Sequence, residues 1–103
     1  MSKNEQIIKL IFNVIDEKNE ELSIKEQIKK STDTILFGDK GVLDSIGLVN
    51  FIVSLEQKIQ EEFGTFISIA DEKAVSQKNS PFRTVKTLID YVTLLIEKKL
   101  NAS

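Results

Sequence analysis

Apolar residues recur every three to four positions along almost the whole of this 103-residue chain. That period commits the chain to helices. Ile7, Ile8, Ile11, Phe12, Val14 and Ile15 fall on one broad stripe, and Ser2 stands three before Glu5, the spacing of a capping box. A first helix is expected over about residues 3–17, stopped by the run from Asp16 to Glu21, which is charged and carries Asn19. A second Ser-x-x-Glu pattern, Ser23 to Glu26, with Ile24 and Ile28 four apart, predicts a short helix near 24–30. The strongest element runs over 45–63: Asp44 is its N-cap, Ser45 its first residue, and Gly64 its stop. Leu48, Phe51, Ile52, Leu55, Ile59 and Phe63 form its apolar stripe. Ser68 before Ile69-Ala70-Asp71-Glu72 suggests a short helix over about 69–77. Thr84 then caps a last helix, whose stripe of Val85, Leu88, Ile89, Val92, Leu95 and Ile96 runs to about Lys99, leaving a frayed tail over 100–103.

Between these helices, residues 31–44 read as a loop in which Ile35, Leu36 and Phe37 pin the chain to a core, while Gly38 and Gly41 permit turns. Three substantial amphipathic helices and one or two short ones can share a core only as a small bundle. The expected fold is therefore all-α, with residues 1–103 forming a single domain of ordinary size.

Composition removes many chemistries. The chain has no His and no Cys. Ser-His-Asp and Cys-His catalysis are excluded within it, as are zinc-finger, haem-His and iron–sulfur sites and disulfides. Lys and Arg number 14 against 16 Asp and Glu, for a net charge of −2. No basic face of the kind a small nucleic-acid binder carries is visible, so no nucleic-acid partner is expected. The acids concentrate in the middle: Asp44, Glu56, Glu61, Glu62, Asp71 and Glu72 face Lys58 alone, a bias that would attract basic partner proteins. The first residues lack the apolar core of a signal peptide, and the most apolar stretch, Ile46 to Leu55, is too short to span a bilayer. A cytoplasmic protein without a membrane span is expected. Glu61-Glu62 and Asp71-Glu72 do not form acid pairs or cation sites, because neighbouring helical side chains diverge and no calcium-loop spacing is present.

One constellation carries chemistry: Gly41-Val42-Leu43-Asp44-Ser45-Ile46-Gly47-Leu48-Val49. It sets a Ser in the first turn of an acid-capped helix, where unpaired backbone N–H groups and the positive dipole end favour an attached or bound anion. A phosphodiester on Ser45 suits that field. The plain alternative is that Asp44 and Ser45 are only a helix cap.

The surroundings favour the first reading. Asp44-Ser45-Ile46, followed by Phe51-Ile52-Val53-Ser54-Leu55-Glu56 and Glu61-Glu62-Phe63-Gly64, resembles the acyl carrier protein family, in which an Asp-Ser-Leu motif opens the second helix. Thr34-Ile35-Leu36-Phe37 is similar to that family's loop before the modified Ser, Ser68 to Glu72 to the start of its third helix, and Thr84-Val85, Leu88 and Tyr91-Val92 to its last helix. The resemblance covers about residues 3–97 and implies a four-helix bundle of the acyl-carrier type. It implies that Ser45 receives 4′-phosphopantetheine from coenzyme A through a phosphopantetheinyl transferase, with Asp44 helping to position the site. The arm's thiol would hold an acyl group as a thioester and present it to acyl-loading, elongating or acyltransferase enzymes. Ile46, Val49 and Val53 match family positions that touch partner enzymes through apolar contacts, and Glu56 matches an acidic partner-facing position. Ordinary packing against the preceding loop or the third helix is the alternative for the three apolar residues. Such carriers usually act as monomers and are not themselves enzymes.

The chain also departs from the pattern. Ile46 replaces the usual Leu, Gly47 stands where fatty-acid carriers often have Asp, and Asn50 where they often have Glu. The helix after Ser45 is about a turn longer, Lys58 interrupts its acidity, and the segment before Ser45 is longer too. Asn79-Ser80-Pro81-Phe82-Arg83-Thr84 looks like an insertion found in some dedicated bacterial carriers. These differences suggest a specialised carrier with dedicated partners. An aminoacyl or peptidyl carrier would use the same Ser45 chemistry, and a helical interaction module without a prosthetic group is the reading from another class.

Overall fold

A computed structural model describes residues 2–69 and 80–101. Among them there are three α-helices and no strand: α1 (Lys3–Glu21), α2 (Ser45–Phe63) and α3 (Val85–Asn101), with one 3-10 turn at Ile24–Glu26. The all-helical reading of the apolar period is borne out. The Ser2 hydroxyl caps α1 by accepting the Glu5 N–H at 3.1 Å. Gly64 ends α2 in the left-handed region at φ 68°, its N–H reaching the Gln60 carbonyl at 2.9 Å. Helix α3 opens with a reciprocal cap in which Thr84 Oγ1 accepts the Thr87 N–H at 3.1 Å and Thr87 Oγ1 accepts the Thr84 N–H at 3.0 Å. This is a capping box with Thr in place of the usual Glu or Gln.

Helix α1 packs against both α2 and α3. Ile7, Ile11, Val14 and Ile15 of α1 meet Leu48, Phe51, Ile52, Leu55 and Ile59 of α2 and Val85, Leu88, Ile89, Val92 and Ile96 of α3 in one core. No polar or charged residue is buried among the described ones. Each helix therefore buries a stripe and leaves its polar side wet, as burial of apolar surface requires. The radius of gyration, 13.1 Å, matches the roughly 13 Å of a compact chain near 100 residues. Lys58, which breaks the acidity of α2, reaches back to α1 and pairs with Glu17 at 2.5 Å.

Three boundaries differ from the sequence reading. Helix α1 continues past 17 to Glu21, and the expected helix near 24–30 is a single 3-10 turn. The cause is Asn19. Its side chain takes both backbone groups of Ile28, accepting the N–H at 2.7 Å and donating to the carbonyl at 2.8 Å. Ile28 thereby gains partners without a helix and is buried, while Ile24 is left 89% exposed. Helix α3 extends to Asn101, beyond the expected stop near Lys99 and into the segment expected to fray. Of the short helix expected over about 69–77, Ile69 is non-helical and buried, and the remainder lies outside the described residues.

The segment before Ser45 is ordered by backbone pairing on both of its sides. Leu36 N–H donates to the Arg83 carbonyl at 2.7 Å, and the first N–H groups of α3, from Val85 and Lys86, donate to the Thr34 and Thr32 carbonyls at 3.0 Å. On its other side, the Val42 and Leu43 N–H groups donate to the carbonyls of Ile35 and Leu36 at 3.2 and 2.8 Å. Leu36 itself is fully buried. Of the trio expected to pin this loop, Leu36 enters the core, and Ile35 and Phe37 lie half-buried at its edge. The turn between the two halves closes from Gly41 N–H to the Gly38 carbonyl at 2.9 Å. Thus residues 34–37 hold the start of α2 and the start of α3 at one end of the bundle.

Candidate functional site at the start of α2

Ser45 is the first residue of α2 and is exposed. Asp44 precedes it in an extended conformation. The Asp44 carboxylate accepts the Gly47 N–H at 2.7 Å, and its carbonyl accepts the Leu48 N–H at 2.8 Å. Of the N–H groups that a helix start leaves open, Asp44 satisfies that of Gly47, while the Leu48 bond is the first regular bond of the helix. The N–H groups of Ser45 and Ile46 have no acceptor among the described residues. Gly47 suits this cap, since a Cβ there would come within 3.1 Å of Asp44 Oδ1. The result is an exposed hydroxyl beside two open N–H donors at the positive end of a 19-residue helix. This surrounding fits an anionic substituent on Ser45.

Ile46, Val49 and Val53 line up on one side of α2, and all three are open to solvent, at 73%, 47% and 43%. The residues expected to contact partners are thus together on one face with Ser45 at its end, and none of the three is used up in the core. Asn50, on the same side, is exposed as well. Glu56 is placed otherwise. It is half-buried, and its carboxylate accepts the Ile69 N–H at 2.5 Å, tying the segment after α2 back to the helix. The sequence offered no sign of that contact, which joins residues 13 apart. Val42, which the sequence reading treated only as part of the motif, is 49% exposed beside a shallow hollow of about 320 Å³ between the 3-10 turn and the segment leading to Ser45.

Among the described residues no group of three or more acidic side chains is placed to hold a metal ion, and no helix is long and apolar enough to cross a membrane. Glu61 and Glu62 are both exposed, and Asp71 and Glu72 lie outside the described residues. Comparison with protein families, with curated protein sequences and with solved structures gives no match to this chain.

Proposed function

We propose that the chain is an acyl carrier protein of specialised type, a small bundle of the four-helix acyl-carrier kind that works in the cytoplasm as a monomer. Its Ser45 carries 4′-phosphopantetheine. The observation that carries this reading is the placement of Ser45: an exposed hydroxyl on the first turn of α2, capped by Asp44, with the Ser45 and Ile46 N–H groups open beside it.

In the attachment step the Ser45 hydroxyl attacks the pantetheine-side phosphorus of coenzyme A, and the P–O bond of the pyrophosphate bridge to the nucleotide phosphate breaks. A bond forms from Ser45 Oγ to phosphorus, the nucleotide leaves, and the hydroxyl proton passes to a base of the transferase. This chain supplies no His or Cys for that step. What its residues contribute is position. Asp44 fixes the first turn, the open N–H groups favour the phosphodiester charge, and the helix dipole adds to them. The arm's terminal thiol, when loaded, holds the acyl group as a thioester. Ile46, Val49 and Val53 give the transferase and the acyl-loading, elongating or acyltransferase enzymes an apolar stripe to grip. Exposed apolar residues grouped along one helix face fit brief docking better than solitary ones do. Glu56 contributes by holding the segment after α2 in place.

Intact-mass measurement after incubation with coenzyme A and a broad phosphopantetheinyl transferase tests the reading. One phosphopantetheine increment is expected, and none on Ser45→Ala. A chain left unmodified by several active transferases would sink it and leave Asp44 and Ser45 as a cap alone. The mass of the thioester recovered from native cells would separate an acyl cargo from an aminoacyl or peptidyl one.

A further inference from the structure

At the other end of α2 from Ser45, 19 residues and so roughly 27 Å away, a second surface combines apolar and basic groups. Phe66, Ile67 and Ser68 face the last turns of α3 across a shallow hollow of about 360 Å³, and Leu95, Lys98 and Lys99 form its other wall. Phe66 is 58% exposed and Leu95 is half-buried. Leu95 and Lys99 stand four apart, so they share one side of α3 beside its core stripe. Single exposed apolar side chains are ordinary. Here Phe66 and Leu95 line one hollow, and they adjoin two ammonium groups that form no ion pair among the described residues.

We propose that this hollow is a protein-docking surface for a partner segment that presents one bulky apolar side chain flanked by carboxylates. The apolar walls take the side chain, and Lys98 and Lys99 pair with the acids. Charge argues for a protein over a lipid surface. A bilayer senses the whole end of the molecule over a Debye length of about 8–10 Å. At that end Glu5, Glu61, Glu62 and Glu97 offset Lys3, Lys9, Lys98 and Lys99. A partner side chain entering the hollow meets the lysines locally. The surface is independent of Ser45 and could be occupied while Ser45 faces another enzyme.

Amide-resolved NMR titration of the full chain provides the test. The probe is a synthetic peptide with one Leu between pairs of Glu, and the control carries Lys in place of Glu. The acidic peptide is expected to give saturable shifts at Phe66–Ser68 and Leu95–Lys99, and the basic peptide none there. The double variant Lys98→Glu with Lys99→Glu should weaken binding about fivefold or more, the scale of two exposed charge pairs. Phe66→Ala, a change at an exposed position, should weaken it with the spectrum otherwise preserved. Equal binding of the basic peptide, shifts centred on Ile46–Val53, or no saturable change at millimolar peptide would each overturn the proposal. So would shifts of the same residues with phosphatidylglycerol vesicles in the absence of any response to the acidic peptide, which would identify a lipid surface.

Discussion

Asp44 serves the start of α2 with two of its atoms, the carboxylate toward Gly47 and the carbonyl toward Leu48. Asp44→Ala removes the first and is expected to cost about 1 kcal/mol in urea unfolding, with Asp44→Asn retaining most of the stability. Two turn residues upstream are constrained for different reasons. A Cβ on Gly41 would lie 2.7 Å from the Phe37 backbone. Gly41→Ala must therefore shift the loop and should destabilise by about 2 kcal/mol. Lys40 holds φ at 65°, a region that costs a residue with a Cβ about 1–2 kcal/mol. Lys40→Gly should recover part of that, about 0.5 kcal/mol after the added freedom of the unfolded chain, read as a higher urea midpoint. The cap at Asp44 and the exposed Ser45 were legible in the sequence because capping is a local pattern. The need for Gly41 was not, since it arises from a close approach of backbone that only the folded turn creates.

At the level of elements, periodicity located all three helices, and Asn19 shows where it stops being informative. Asn is a weak helix residue, so its position looked like an end. In the structure it stays helical and spends its side chain on Ile28. Asn19→Ala leaves the N–H and the carbonyl of Ile28 without those partners. The expected loss is about 2 kcal/mol, the sum of two ordinary hydrogen bonds, together with faster hydrogen exchange at Ile28. Asn19→Asp keeps the acceptor and loses the donor, so it should fall between wild type and Ala. The spacing of Ile24 and Ile28 mimicked a helical repeat because two residues four apart are too few to define a period. Glu56 illustrates the same limit from the other direction. Its acidity and position were visible, but its bond to Ile69 joins segments that only the fold brings together.

At the scale of the whole molecule, the bundle is closed by the segment 34–37, which bonds to the chain leading into α2 on one side and to the first turn of α3 on the other. Leu36 anchors it in the core. Leu36→Ala should cost about 2–5 kcal/mol, and hydrogen exchange should rise together at Val42, Leu43 and Val85, whose N–H groups this segment pairs. Nothing in the sequence announced that pairing, since backbone bonds carry no residue signature and the partners lie nearly half the chain apart. It has a consequence for the life of the protein during synthesis. A nascent chain that has emerged only as far as α2 lacks Arg83 to Val85, and with them one of the two sides that hold 34–37 in place. Contacts this distant along a chain form late, and a domain settles only when all of it is available. On the function proposed above, Ser45 should therefore become a well-formed target for a phosphopantetheinyl transferase only after α3 has left the ribosome. A chain truncated after residue 80 is expected to be a far poorer substrate for the transferase than the full one, although it contains Ser45 and every residue of α2.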